Sequence, residues 1–126
     1  MITSYQFDFG LVEIYNDHIK VTMNEGIIVS PEHNDVLLEM VRKHYSNRNF
    51  VYITHRVHSY SVNPTIYLET AKIKNLAGFA VVSNDPIQKI LTKLEKTFFN
   101  KEFRQFDNLE SALKWKDEIL EQTFIK

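Results

Sequence analysis

Each of the three prolines in this chain follows a side chain that can cap a helix: Ser30-Pro31, Asn63-Pro64 and Asp85-Pro86. The proline ring holds φ near the helical value and removes an N–H that the first turn of a helix leaves unpaired anyway. The Ser, Asn or Asp before it accepts a bond from another orphan N–H of that turn. Asp107-Asn108-Leu109-Glu110 marks a fourth start, with Asp107 as the acidic cap and Glu110 as the glutamate of a capping box. Short apolar runs precede these starts. A strand leading into a capped helix, repeated along a chain, is the pattern of an α/β domain.

The opening segment reads as consecutive strands. Tyr5, Phe7 and Phe9 alternate with Gln6 and Asp8, the period of a half-buried strand. Gly10 supplies a turn or bulge before Leu11-Val12-Glu13-Ile14-Tyr15. Asn16-Asp17 fits a two-residue hairpin turn, because both residue types tolerate positive φ. From His18 to Met23 alternation resumes, with Ile19, Val21 and Met23 facing inward.

From residue 30 the rhythm becomes helix, strand, helix, strand. The helix Pro31–Tyr45 carries an apolar stripe of Val36, Leu37, Met40, Val41 and His44 or Tyr45. Phe50–Thr54 and Gly78–Val82 are nearly continuous apolar runs of strand length, expected of parallel strands covered on both faces. Pro64 to about Lys74 is a shorter helix burying Tyr67, Leu68 and Ala71. The helix Pro86–Phe99 repeats apolar residues at Ile87, Ile90, Leu91, Leu94 and Phe98, which are expected to face the core, with Lys89, Lys93 and Lys96 in water. Phe103 and Phe106 bracket a last short strand, and a broad-faced helix follows from Asn108, with Lys116 laying its stem along that face and its ammonium in solvent. The expected order is β-β-β-α-β-α-β-α-β-α: one α/β domain over residues 1–126, a mixed β-sheet with about four helices.

Bulk properties narrow the function classes. A chain of 126 residues can bury one core without metal or disulfide staples. Fifteen Lys and Arg against sixteen Asp and Glu give a net charge of −1, so no global field draws in nucleic acid or an anionic membrane. Cysteine is absent, which removes thiol nucleophiles and thiolate metal sites. MITSYQFDFG has neither the basic region nor the apolar region of a signal peptide, and no run approaches the ~18 apolar residues of a membrane span. A cytoplasmic, soluble protein is expected.

The order of elements, with Gly78-Phe79-Ala80-Val81-Val82-Ser83-Asn84-Asp85, Glu102-Phe103-Arg104-Gln105-Phe106 and Ala112-Leu113-Lys114-Trp115, resembles the STAS-like superfamily in its SpoIIAA-like branch. There a buried "AVV" strand is followed by a helix, a short "E-x-R-x-F" strand and a helix ending in "A-L-x-W". Specific residues match from about Leu76 to Trp115, and most are structural. The resemblance implies a non-enzymatic domain that binds a partner protein. Better-known relatives are switched by phosphorylation of a serine in an Asp-Ser-Ser-Gly-like stretch. The corresponding segment, Thr54 to Pro64, has neither an Asp-Ser pair nor a glycine, and Ser59 and Ser61 are the positional candidates for phosphorylation.

Ligands in open α/β sheets gather beyond the carboxyl ends of parallel strands. Asn24, Glu25, His55, Arg56, His58, Ser83, Asn84, Asp85 and Asp107 fall there, several of them already explained as caps or turns. His55 and His58 lack a third ligand of matching spacing, so no metal site is expected. Together with Arg56, ahead of the Asn63-Pro64 helix start, they form the candidate anion site: guanidinium and imidazolium both donate to phosphate or carboxylate. The phosphate-cradling and nucleophile-elbow signatures are missing. The expectation is a non-catalytic interaction or regulatory module that needs no cofactor and whose partner is another protein or a second copy. The alternative is a carrier of a small apolar or anionic ligand held between sheet and helix.

Overall fold

A computed structural model describes residues 2–56, 61–62, 66–99 and 101–125. Three antiparallel strands open the chain, β1 (Thr3–Phe7), β2 (Gly10–Ile14) and β3 (His18–Met23). The Asn16-Asp17 turn closes with a bond from Tyr15 N to the His18 carbonyl at 2.9 Å. Neither turn residue has positive φ, so this is not the mirror-image turn that Asn and Asp at these positions would favour. Gly10 lies opposite Met23, where a Cβ would meet the Thr22 carbonyl oxygen at 2.4 Å; it is needed for that close approach.

A parallel half follows. The short strand β4 (Ile28–Val29) leads into α1 (Pro31–His44), then come β5 (Phe50–His55), β6 (Ser61–Val62), α2 (Ile66–Thr70), β7 (Leu76–Val82), α3 (Pro86–Lys96), β8 (Glu102–Phe106) and α4 (Leu109–Ile125). The main sheet runs β1-β2-β3-β5-β7-β8, with β3, β5, β7 and β8 parallel. The segments 50–54 and 78–82 therefore lie side by side in the sheet interior. A two-residue parallel ladder joins β4 to β6. Among the described residues no helix is long and apolar enough to cross a membrane.

Two of the proline-led starts lie within the described residues, and both open helices. Ser30 caps α1 in a capping box completed by His33, whose Nδ1 accepts from the Ser30 N–H at 3.2 Å. Asp85 caps α3 by accepting from the Ile87 N–H at 2.9 Å. The third, Asn63-Pro64, lies outside the described residues. At α4 the cap falls one residue later than expected: Asn108 Oδ1 accepts from the Ser111 N–H at 2.8 Å, while Asp107 pairs with Lys89 at 2.7 Å.

The crossovers through α1, α2 and α3 all step the same way along the sheet, so right-handed connections place all three on one face. Leu37, Val41, Tyr45, Ile66, Tyr67 and Phe99 pack there against Val12, Ile19, Tyr52, Phe79 and Phe103. The Tyr45 phenol donates to the carbonyls of Tyr15 and His18 at 2.7 and 2.5 Å, and burial pushes its pKa up to about 12. The other face belongs to α4, whose Ala112 and Trp115 cover Val51, Ile53, Ala80 and Val82. Gly78 makes room for this: a Cβ there would stand 2.8 Å from the Trp115 ring.

Lys116 departs from expectation. Its ammonium is buried rather than in solvent, 2.8 Å from Asp17 and 2.7 Å from Asp117. Burial opposes its charge, but the hydrogen bonds to the two carboxylates outweigh that and raise its pKa. For Asp17 burial likewise opposes ionisation, and bonds to Lys116 and His18 win, holding the carboxyl below its usual range.

Candidate interaction surface

The helix α3 packs on the sheet the wrong way round for its sequence. Ile87, Ile90 and Leu94 are 67, 67 and 57% exposed, whereas Gln88, Thr92 and Glu95 are 5, 3 and 5% exposed. At about 100° per residue the two sets are centred roughly 130° apart around the axis. Of the apolar residues expected to face the core, Ile87, Ile90 and Leu94 therefore look outward, Leu91 is half-buried and Phe98 packs against the core, while a polar seam faces the sheet.

The cause is Arg56, the residue immediately after β5. Its backbone N–H bonds to the Val82 carbonyl at 2.9 Å, which extends the parallel ladder and sends the side chain into the helical layer. A guanidinium stays charged at any pH a protein survives, so burying it demands a carboxylate and further acceptors. Arg56 bonds to both carboxylate oxygens of Glu95 and to Gln88 Oε1 at 3.1 Å. The Tyr67 hydroxyl, on α2, donates to the same carboxylate at 2.7 Å. Thr92 is satisfied within α3, donating to the Gln88 carbonyl at 2.7 Å. Turning Glu95 and Gln88 toward Arg56 rotates Ile87, Ile90 and Leu94 out.

Of the lysines on α3, Lys93 flanks the outward stripe, while Lys89 and Lys96 lie further round the helix. Lys93 and Lys96 are exposed, and Lys89 is held by Asp107. Leu68 on α2, expected to be buried, is also half exposed.

Among the described residues, those singled out from the sequence do not converge. His55 ends β5 on the same side of the sheet as Val51 and Ile53, close to Lys20 and Glu13. Burial lowers its pKa, Lys20 lowers it further, and Glu13 opposes. Arg56 points to the opposite side, into the network with Glu95. His58 and Ser59 lie outside the described residues. Ser61 belongs to β6, opposite Ile28 in the short ladder. Elsewhere in the crown, Asn24 ties its amide to the Asp8 carbonyl at 2.8 Å, and Ser83 Oγ accepts from the Asp85 N–H at 3.2 Å. Among the described residues no three His, Asp or Glu side chains are placed to hold a metal ion.

Between the sheet, α1 and α2 lies a cavity of about 20 Å³, bordered by Asn34, Tyr52, Thr54, Tyr67 and Thr70 among others. That is room for about one water molecule. The aromatic row at the start of the chain is packed rather than open: Phe7 stacks on Phe9 at 5.2 Å, and Phe9 meets His33 at 4.9 Å.

Sequence reasoning found the stripe on α3 but assigned it to the core. The signal that could have corrected it was Arg56, a charge directly after a buried strand. It requires an acid in the helical layer, and Glu95 is the acid among Lys89, Lys93 and Lys96. Comparison with protein-family models, curated proteins and solved structures finds no match for this chain.

Proposed function

We propose that this chain is a non-catalytic, STAS-like interaction module that receives another protein on the outer face of α3. The observation that carries the reading is the inverted helix. Three large aliphatic side chains at i, i+3 and i+7 make a continuous stripe, and such stripes on a protein surface mark contact sites. Two of the charged groups nearby have partners, Arg56 with Glu95 and Lys89 with Asp107. The cavity between the sheet, α1 and α2 has room for about one water, which lends no support to a carrier that holds its ligand there.

The test compares wild type with Ile87→Ser/Ile90→Ser/Leu94→Ser as baits in native lysate, after circular dichroism has shown both to be folded. A protein held by wild type at stoichiometric level and lost by the variant is the expected result. Equal recovery by both baits, or recovery by neither, would defeat the reading.

A further inference from the structure

On residues that the docking reading does not use, we propose that the groove between α1 and the α2–β7 connection binds a small amphipathic anion, an apolar body ending in a carboxylate. The groove is open to solvent and has a volume of about 560 Å³, within the size range of small-molecule sites. Leu38, Val41, Arg42 and Tyr45, spaced to share one face of α1 and its C-cap, line one wall. Ile73, between α2 and β7, supplies the apolar part of the other. Val41 and Tyr45 are buried, and Leu38 and Ile73 are half-buried. Both walls are held by the fold itself. The Ile73 N–H donates to the Thr70 carbonyl at 3.1 Å, and the Ile73 carbonyl accepts from the Leu76 N–H at 3.3 Å and from the Lys101 ammonium. The Asn75 amide donates to the carbonyls of Tyr45 and Arg48, which ties the end of α1 to the same connection. A groove ordered in advance loses little entropy on binding.

The rim sets the charge of the ligand's polar end. Arg42, Lys72 and Lys74 border the groove against one acid, Glu69, on a chain whose net charge is −1. Arg42 pairs with Glu39 and Lys72 with Glu69, but all four side chains are more than half exposed. Such pairs are weak, so both cations are open to a carboxylate. The apolar floor gives an inorganic anion nothing, and the basic rim gives a neutral chain nothing. A molecule with both ends uses both.

Octanoate, octanamide and acetate test this, titrated into isotope-labelled protein and followed by backbone amide chemical shifts. Octanoate should move amides of 38–46 and 69–75 and bind roughly fivefold more tightly than octanamide, as one or two exposed ion pairs allow. Acetate should move none of them. Lys72→Gln/Lys74→Gln should bring octanoate down to the affinity of octanamide, with the amide spectrum itself reporting that the variant is folded. Ile87→Ser/Ile90→Ser/Leu94→Ser should leave both affinities unchanged, so the groove and the α3 face stand or fall separately. Equal affinity for octanoate and octanamide, equal shifts with acetate, shifts centred on 87–94, or no saturable binding of octanoate would each overturn the proposal.

Discussion

Replacing Ile90 and Glu95 separately by alanine should reverse the order of cost that amphipathic helices normally show. If Ile90 faced the core, its truncation would cost about 2–5 kcal/mol. At 67% exposure it is instead a surface position, where substitutions usually stay within about 0.5 kcal/mol and alanine even gains a little helix propensity. Glu95, at 5% exposure, is the carboxylate for Arg56 and accepts from the Tyr67 hydroxyl. Removing it leaves a buried guanidinium without its counter-charge, a loss of about 3–5 kcal/mol. Against a total stability of about 5–15 kcal/mol that is a large share. With a urea slope near 2 kcal/mol/M, the midpoint should fall by roughly 1.5–2.5 M for Glu95→Ala and stay within roughly 0.3 M for Ile90→Ala. The fluorescence of Trp115 reports global unfolding, since it is the sole tryptophan and sits on the opposite face of the sheet. An apolar replacement of both partners, Arg56→Met/Glu95→Leu, should recover most of the loss, because a buried ion pair adds little net stability over well-packed hydrophobic groups. If Ile90→Ala is the costly change and Glu95→Ala the silent one, α3 is rotated and the docking surface does not exist.

Two further outcomes are expected. Gly78→Ala should cost about 1–3 kcal/mol in the same urea assay, because the new Cβ would stand 2.8 Å from the Trp115 ring; Trp115→Phe should relieve part of that cost, and strict additivity of the two changes would disprove the contact. Lowering the pH from 7 to 5 should reduce the urea midpoint, with part of the slope removed in His18→Gln. Burial lowers the His18 pKa in the fold, with Lys116 and Lys20 adding and Asp17 opposing, so its contribution is present above the unfolded value of about 6.5 and lost as pH falls through the lowered folded value. A midpoint that rises on acidification would contradict the sign.

Local chemistry was the legible part. Ser30 and Asp85 announced α1 and α3, since a cap and its proline act within one turn. The runs 50–54 and 78–82 announced two interior strands because only a sheet covered on both faces accommodates unbroken apolar runs. Two adjacent capping residues, Asp107 and Asn108, left the start of α4 undecided by one position until the claim of Lys89 on Asp107 is known. The ladder of β4 with β6 is two residues long, too short to leave a period. The orientation of α3 and the burial of Lys116 were not legible. Periodicity shows that a stripe exists but not which side meets the sheet. Arg56 and Glu95 are 39 positions apart, Lys116 and Asp17 99. A charge's partner at such separations is set by topology, which no local window contains.

The covering of the parallel strands β5 and β7 on one side of the sheet by α4 has a consequence for synthesis. Val51, Ile53, Ala80 and Val82 are translated well before Ala112 and Trp115. As the chain leaves the ribosome, its helical layer on one side can assemble while the opposite side stays wet and adhesive. A transcript truncated ahead of Trp115 would yield a protein with that greasy plane permanently bare, fit for aggregation or for a chaperone. Closure of that face thus waits on α4.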